Sequence, residues 1–172
     1  NSFHPNNIKD NKFIPPVLIT SFQKFNKEVD FTKPVYSINE IDLSYEDYVF
    51  SFEFASLDFS APEKNKYVYK MEGLDNEWIS TSASRRFATF TTLSPGDYIF
   101  KVKGTNSDGV WNEKGASVKI TIHPPYWMTW WFRTLVAITL VLIIFTLYKS
   151  RVKKIEDKRK ALAERLEEKT KH

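Results

Sequence analysis

The sequence predicts an all-β sandwich of immunoglobulin-like type, followed by a single transmembrane α-helix that continues into a coiled-coil helix. Three observations carry this expectation. Short stretches before Pro125 alternate apolar and polar residues with a period of two, the pattern of strands with one buried face. Residues 126–148 (YWMTWWFRTLVAITLVLIIFTLY) form an apolar run interrupted by one charge. From Val152 the apolar or long side chains recur at spacings of three and four, a heptad register.

Val17 to Phe25 is the first expected strand. Tyr48, Phe50, Phe52 and Phe54 share the buried face of the next, with Val49, Ser51 and Glu53 opposite. Tyr67, Tyr69 and Met71 alternate with Val68 and Lys70, and Arg86 to Thr92 follows with a less regular pattern. Tyr98, Phe100 and Val102 alternate with Ile99, Lys101 and Lys103, and Val118, Ile120 and Ile122 with Lys119 and Thr121. Turn residues separate these runs at Ala61–Asn65, Gly73–Asn76, Ser94–Asp97 and Asn106–Gly109. About seven short strands at this spacing argue for an antiparallel sandwich. Aromatic residues make up 16% of the chain, enough large side chains for a real core. Trp78 is expected between the sheets and Trp111 as a cap under a loop.

The net charge of +4 is unevenly spread. Residues 1–125 carry 14 Lys and Arg against 16 Asp and Glu, whereas residues 149–172 carry 10 against 5. The basic character belongs to the tail, which removes the main support for direct nucleic-acid binding. There is no cysteine, so disulfides, thiolate chemistry and Cys-based zinc sites are excluded together. The chain begins Asn-Ser-Phe without a signal peptide, and is expected to be a fragment whose export signal lies upstream.

Met128 to Tyr148, at 1.5 Å per residue, spans roughly 31 Å, the thickness of a bilayer's hydrocarbon layer. Trp127, Trp130 and Trp131 stand at one end and Tyr148 at the other, where amphipathic rings favour the headgroup level. Arg133 lies close enough to the Trp cluster to snorkel to the interface. Lys149, Arg151, Lys153 and Lys154 follow at once, which places the C-terminal side in the cytoplasm and the sandwich outside. The expected coiled-coil seam is Val152, Ile155, Arg159, Leu162 and Leu166, with Lys169 beyond. Two charged seam positions in about two and a half heptads leave it marginal alone. A solvated helix attracted to anionic lipid is the competing reading of this stretch.

Leu93-Ser-Pro-Gly-Asp-Tyr98, with the strand that ends at Gly104-Thr-Asn106, resembles a fibronectin type III strand pair. The resemblance implies that Tyr98 packs at a corner and Pro95-Gly96 makes a tight turn. The motifs in order are more specific. Tyr67-Val-Tyr69-Lys-Met-Glu-Gly73-Leu-Asp-Asn-Glu-Trp78, then Pro95, Gly96 and Tyr98, then Asn106-Ser-Asp-Gly109-Val-Trp111, resemble the three-tyrosine (Y_Y_Y) domain. In hybrid two-component sensor histidine kinases this domain joins a periplasmic β-propeller to the membrane helix. Residues 1–16 resemble the strand leaving the last propeller blade, and Pro124-Pro125-Tyr126-Trp127 the usual junction. The implied organisation is 1–16 propeller end and linker, 17–125 periplasmic sandwich, 126–148 membrane helix, and 149–172 cytoplasmic coiled-coil helix in the bacterial inner membrane.

No catalytic, cofactor or metal site is expected. His4, His123 and His172 lack helical or acidic partners at ligand spacing, and there is no nucleophile elbow or Gly-rich phosphate loop. Glu46-Asp47 and Asp75-Asn76-Glu77 read as solvated acidic pairs in turns. The expected function is therefore signal transmission in a homodimeric membrane sensor. The resemblance implies an oligosaccharide ligand, sensed by a propeller upstream, and a kinase core downstream. The alternative is a membrane-tethered immunoglobulin-like module for carbohydrate binding or adhesion. An accessory sandwich of a glycosidase would have no need of the heptad seam.

Overall fold

The computed structural model describes residues 11–170, with side chains described through Ala163. In chain order its strands are β1 (Val17–Lys24), β2 (Lys27–Glu28), β3 (Glu40–Ser44), β4 (Val49–Ser56), β5 (Lys66–Glu72), β6 (Ile79–Ser82), β7 (Phe87–Thr91), β8 (Gly96–Thr105) and β9 (Trp111–His123). One helix, α1 (Trp130–Thr170), follows. The strands make two sheets, ordered β2-β1-β4-β7 and β3-β9-β8-β5-β6. The chain divides into two compact units, Asn1–Pro124 and Pro125–His172.

Alternation explains the core. Phe50, Phe52 and Phe54 of β4 point inward, as do Ala88 and Phe90 of β7. From the second sheet come Tyr67 and Met71 of β5, Phe100 and Val102 of β8, Ile41 and Leu43 of β3, and Val118, Ile120 and Ile122 of β9. Phe52 and Phe100, on opposite sheets, stack at 4.5 Å between centroids with their planes 11° apart. Each fully buried phenylalanine contributes about 2–3 kcal/mol of hydrophobic stabilisation. In β1 the ladder slips between Ile19, which faces Phe54, and Ser21, which faces Glu53. Thr20 is the additional residue of a β-bulge, and it resets the inward parity. Val17 and Ile19 are buried before it, and Phe22 after it.

Several expectations need correction. Nine strands are formed among the described residues, because β2, β3 and β6 are too short or too polar to leave a clear alternation. The sandwich is not wholly antiparallel: β3 pairs with β9 in parallel, from Glu40 opposite Lys119 to Ser44 opposite His123. The 45–48 loop that follows β3 carries the chain back to the first sheet. Tyr48 does not share the buried face of Phe50; it precedes β4 and is 56% exposed. Trp78 does not lie between the sheets, and is 39% exposed just ahead of β6. Phe100 holds the central place that a tryptophan was expected to fill. The helix begins at Trp130, since Tyr126–Met128 form a single 3₁₀ turn.

Candidate functional site

The two ends of β9 organise the described features of the sandwich. At the upstream end, Asn106 follows β8 and is wholly buried. Its side-chain oxygen accepts hydrogen bonds from the Asp108 and Val110 N–H groups at 3.0 and 2.8 Å, which shapes the Asn-Ser-Asp-Gly turn. Its side-chain nitrogen donates to the carbonyls of Asn11 and Phe13. Asparagine suits this position because one side chain offers both two donors and an acceptor. Asn112 donates to the Pro15 carbonyl at 2.8 Å, and the Asp108 carboxylate accepts from the Asn11 N–H at 2.6 Å. The Leu57 N–H completes this clamp on the Pro16 carbonyl. Residues 11–15 are thus fastened by the side chains of Asn106, Asp108 and Asn112, within seven positions of one another, and Pro16 by the Leu57 backbone.

Asn106→Ala is expected to destabilise the sandwich by about 2–4 kcal/mol, because it orphans buried donors and acceptors together. Chemical denaturation of the 172-residue chain in detergent would check this. A loss under about 1 kcal/mol would show that water replaces the amide without penalty.

Below the clamp, Asp58 is buried at the start of the β4–β5 connection. Its carboxylate accepts from the Ser107 N–H at 2.7 Å and the Ser60 N–H at 3.1 Å. These backbone donors, Ser107 first, hold its pKa below the ordinary aspartate value. The folded-state value is depressed, so its stabilising contribution is complete above the unfolded value near 3.8 and fades as pH falls through the folded one. Asp58→Asn is therefore expected to lower stability at neutral pH and to flatten the acid limb of the stability profile. An acid limb unchanged from the parent chain would contradict this. Nearby, the Ser56 hydroxyl donates to the Thr105 carbonyl, and the Tyr67 hydroxyl accepts from the Ser56 N–H at 3.1 Å.

The other motif residues fall into separate places. The Tyr98 hydroxyl donates to the Ser94 carbonyl at 2.9 Å, which closes the corner around Pro95-Gly96. Gly73 packs against the Tyr98 ring at a φ of 94°, where an added Cβ would stand 3.0 Å from the ring. Tyr69 is half-buried, and burial raises its pKa. Gly109 adopts a φ of 87° in the clamp turn.

Trp111, rather than capping a loop from beneath, opens β9 on the outer face of the second sheet, beside Val68, Trp78, Lys103 and Glu113. Lys103 Nζ lies 4.9 Å from the Trp78 ring centroid and pairs with Glu113 at 2.6 Å. The acidic turn pairs are also structural. Asp75 accepts from the Met71 N–H. Asp47 accepts from Lys24 and from the Ser44 N–H. Burial works to raise the Asp47 carboxyl, but these donors outweigh it and keep its pKa low.

At the downstream end β9 is tied to both neighbours. Lys119 pairs with Glu40 at 2.7 Å, Thr121 donates to Asp97 at 2.8 Å, and His123 Nε2 lies 3.0 Å from Asp42. The Thr121 hydroxyl, and then Lys119, hold the Asp97 carboxyl low. Glu40 raises the Lys119 ammonium. Asn112, Asp58 and Gly115 were not singled out from sequence. The spacing of Asn112 and Gly115 was the available signal, since the Asn112 side chain accepts from the Gly115 N–H to form a turn. Among the described residues no group of three or more His, Cys, Asp or Glu is placed to hold a metal ion.

In the second unit, α1 runs 41 residues, or roughly 60 Å. It is long and apolar enough to cross a membrane. The Thr134, Thr139 and Thr146 hydroxyls each donate to a carbonyl one turn earlier, so these threonines are paired within the helix itself. Trp127, Trp130, Trp131, Arg133 and Tyr148 are exposed, as are Lys149 and Arg151. Along the heptad positions Val152 is half-buried, while Ile155, Arg159 and Leu162 are open. The Leu166 side chain lies outside the described residues.

Residues 58–123 match the family model described as the Y_Y_Y domain. The sandwich carries a Y_Y_Y domain. Histidine kinase P4 of Formosa agariphila is 35% identical over 162 residues, which cover 88% of this chain and 12% of that protein. The extracellular domain of BT4673 from B. thetaiotaomicron, described as a hybrid two component system, is similar in structure. Its TM-score is 0.58 at 32% identity, over 65% of this chain and 16% of that one. The corresponding domain of BT3049 gives 0.52 at 30% identity, over 66% and 16%. The chain thus spans a small part of the length of these relatives. Its Y_Y_Y domain resembles those of extracellular parts of two-component sensors, and it is followed by one helix able to span a bilayer.

Proposed function

We propose that this chain is the signal-transmitting segment of a membrane sensor histidine kinase. The supporting observation is the course of β9, a single strand with the clamp loop at its start and Pro124 at its end. A pull or rotation delivered through residues 11–16 acts on Asn106 and Asn112, and β9 carries it to the junction with the helix. Pro124-Pro125 lacks two backbone donors and has fixed φ angles, which makes the junction stiff. In a homodimer the two helices are the bistable element, and a ligand signals by favouring one of their arrangements. The ligand is an oligosaccharide bound by a sensor domain outside this sequence, and the kinase core follows the heptads. The sandwich stands in the periplasm and the C-terminus in the cytoplasm, across the bacterial inner membrane.

The chain has no cysteine, so single-cysteine variants test the topology cleanly. With an impermeant thiol reagent on intact cells, Lys114→Cys is expected to react and Lys158→Cys to be shielded. The reverse pattern would overturn the reading. In the full-length receptor, a Gly-Ser insertion between Pro125 and Tyr126 is expected to abolish ligand-dependent phosphorylation while basal activity remains. Arg159 at a seam position weakens the inner coil enough to switch, so Arg159→Leu is expected to shift the resting output several-fold. An unchanged dose-response curve would contradict that role.

Trp78, 39% exposed beside the half-buried Trp111, favours one second reading, a tethered carbohydrate-binding module. Saccharide titration of the 172-residue chain in detergent separates the two, since the transmission reading expects no binding without the upstream sensor domain.

A further inference from the structure

Three residues other than glycine adopt left-handed backbone conformations among the described residues: Phe25 (φ 51°), Asn26 (φ 60°) and Thr92 (φ 54°). All three lie at one end of the first sheet. Phe25 and Asn26 form the two-residue turn between β1 and β2, with Lys24 opposite Lys27. A turn with positive φ at both positions favours Asn-Gly, and a bulky aromatic at its first position is strained. Thr92, a β-branched residue in the same region, donates its N–H to the Tyr48 carbonyl at 2.7 Å. The Phe25 N–H donates to the Val49 carbonyl at 3.0 Å. Two strained segments therefore converge on Tyr48, whose ring meets that of Phe25 edge to face at 4.9 Å.

The strain does not serve the core. Phe25 is 42% exposed and Tyr48 56%. Strain of this kind, held at a surface where each ring stays about half exposed, points to a functional position. Its placement suggests which function. The Lys24–Phe50 and Val49–Thr91 registers put Phe25, Tyr48 and Thr92 at one end of the sandwich. Ser44 lies opposite His123, so the 45–48 loop starts beside the end of β9. Leu74, 51% exposed in the β5–β6 loop, belongs to this end too, since Glu72 faces Ile99 near the start of β8. From this end the chain leaves through residues 124–129, whose full extension reaches only about 20 Å, before α1 begins.

We propose that the rim formed by Phe25, Tyr48 and Leu74 docks on the headgroup layer of the bilayer that α1 crosses. This inference rests on the membrane-spanning reading of α1. Tyrosine and tryptophan rings settle at this depth, as Tyr48 and, in the second unit, Trp127, Trp130 and Trp131 would, and Phe25 adds apolar area beside Tyr48. A short tether keeps the rim within reach of the surface. The left-handed turn holds the Phe25 ring outward instead of letting it fold back onto β1. Docking makes the membrane a third support for the sandwich, so that motion entering through the clamp is resisted at the rim and concentrated on the junction.

Nitroxide labels at Lys27→Cys or Glu46→Cys, beside the rim but outside it, report its depth. The full 172-residue chain is placed in nanodiscs of phosphatidylethanolamine and phosphatidylglycerol, with labels at Leu140→Cys and Lys114→Cys as controls. The expected result is oxygen accessibility at 27 and 46 intermediate between the immersed Leu140 site and the aqueous Lys114 site. Phe25→Gly combined with Tyr48→Ser should return both labels to the aqueous value. Phe25→Gly alone should leave the thermal midpoint unchanged or raised, because glycine relieves the left-handed strain.

Labels at 27 and 46 as aqueous as Lys114, with Leu140 immersed, would overturn the docking while leaving the spanning reading intact. An aqueous Leu140 would overturn both. Spin–spin coupling between copies at 27, with aqueous accessibility, would assign the rim to a second copy of the chain and overturn the lipid contact.

Discussion

Gly115→Ala is expected to destabilise the sandwich by about 3–4 kcal/mol, among the larger losses available to a single methyl group. Gly115 adopts a φ of 57°, and a Cβ built there would stand 2.1 Å from the Val102 carbonyl oxygen. The nearest atom is backbone of the neighbouring strand, so no side chain can swing away to make room. Between the Val102–Ala116 and Gly104–Asn112 pairs, β9 carries more residues than β8, and Gly115 closes the resulting bulge. Alanine would force that bulge open and disturb Asn112, which holds both the Gly115 N–H and the Pro15 carbonyl. Gly109 is the matched control, because its φ of 87° is also left-handed while nothing lies within 4 Å of its added Cβ. Gly109→Ala should cost only about 1 kcal/mol, the strain alone. Urea unfolding of both variants, followed by near-ultraviolet circular dichroism in detergent, compares them directly. Equal losses would show that the bulge relaxes freely and that the close approach to Val102 carries no energy.

The second large effect is expected at Phe100. It has no exposed surface and stacks on Phe52, with Phe90, Phe54 and Tyr69 at 5.9 to 6.2 Å around it. Phe100→Ala should cost about 3–5 kcal/mol, the lost transfer energy together with that of a cavity walled by rings too stiff to collapse into it. Phe100→Leu refills most of the space and should recover more than half of the loss. If the alanine variant lost less than about 2 kcal/mol, the two sheets would be held by their edges rather than by this central stack.

The legibility of this fold in its sequence follows the strength of the alternation. Phe50-Ser-Phe-Glu-Phe54 and Val118-Lys-Ile-Thr-Ile122 announce their strands because burial on one face demands a period of two. β3 escaped notice because only Ile41 and Leu43 point inward, and its parallel partner lies far along the chain. Trp78 misled because size argues for burial. The indole instead lies under Lys103, an arrangement that no local pattern reports. The long C-terminal helix, apolar enough to cross a membrane, was readable from length and apolarity alone.

The clamp was only half readable. Asn106 stood within a turn motif, but its carbonyl partners at Asn11 and Phe13 are 95 and 93 residues away. Such pairings depend on where two distant loops meet, which periodicity does not encode. Asp58 was invisible for a related reason, because its partner at Ser107 is 49 residues distant.

The parallel ladder between β3 and β9 has a temporal consequence. The Glu40–Lys119 bond bridges 79 positions, so this ladder has no hairpin from which to grow. As the chain is made, β1 can zip to β4, or β5 to β8, as soon as each stretch is free. The seal of β3 along β9 must wait until residue 123 is free, so this seam is the last of the sandwich to close. Until then the inward faces of Ile41 and Leu43 wait uncovered for a partner that is made after every other strand.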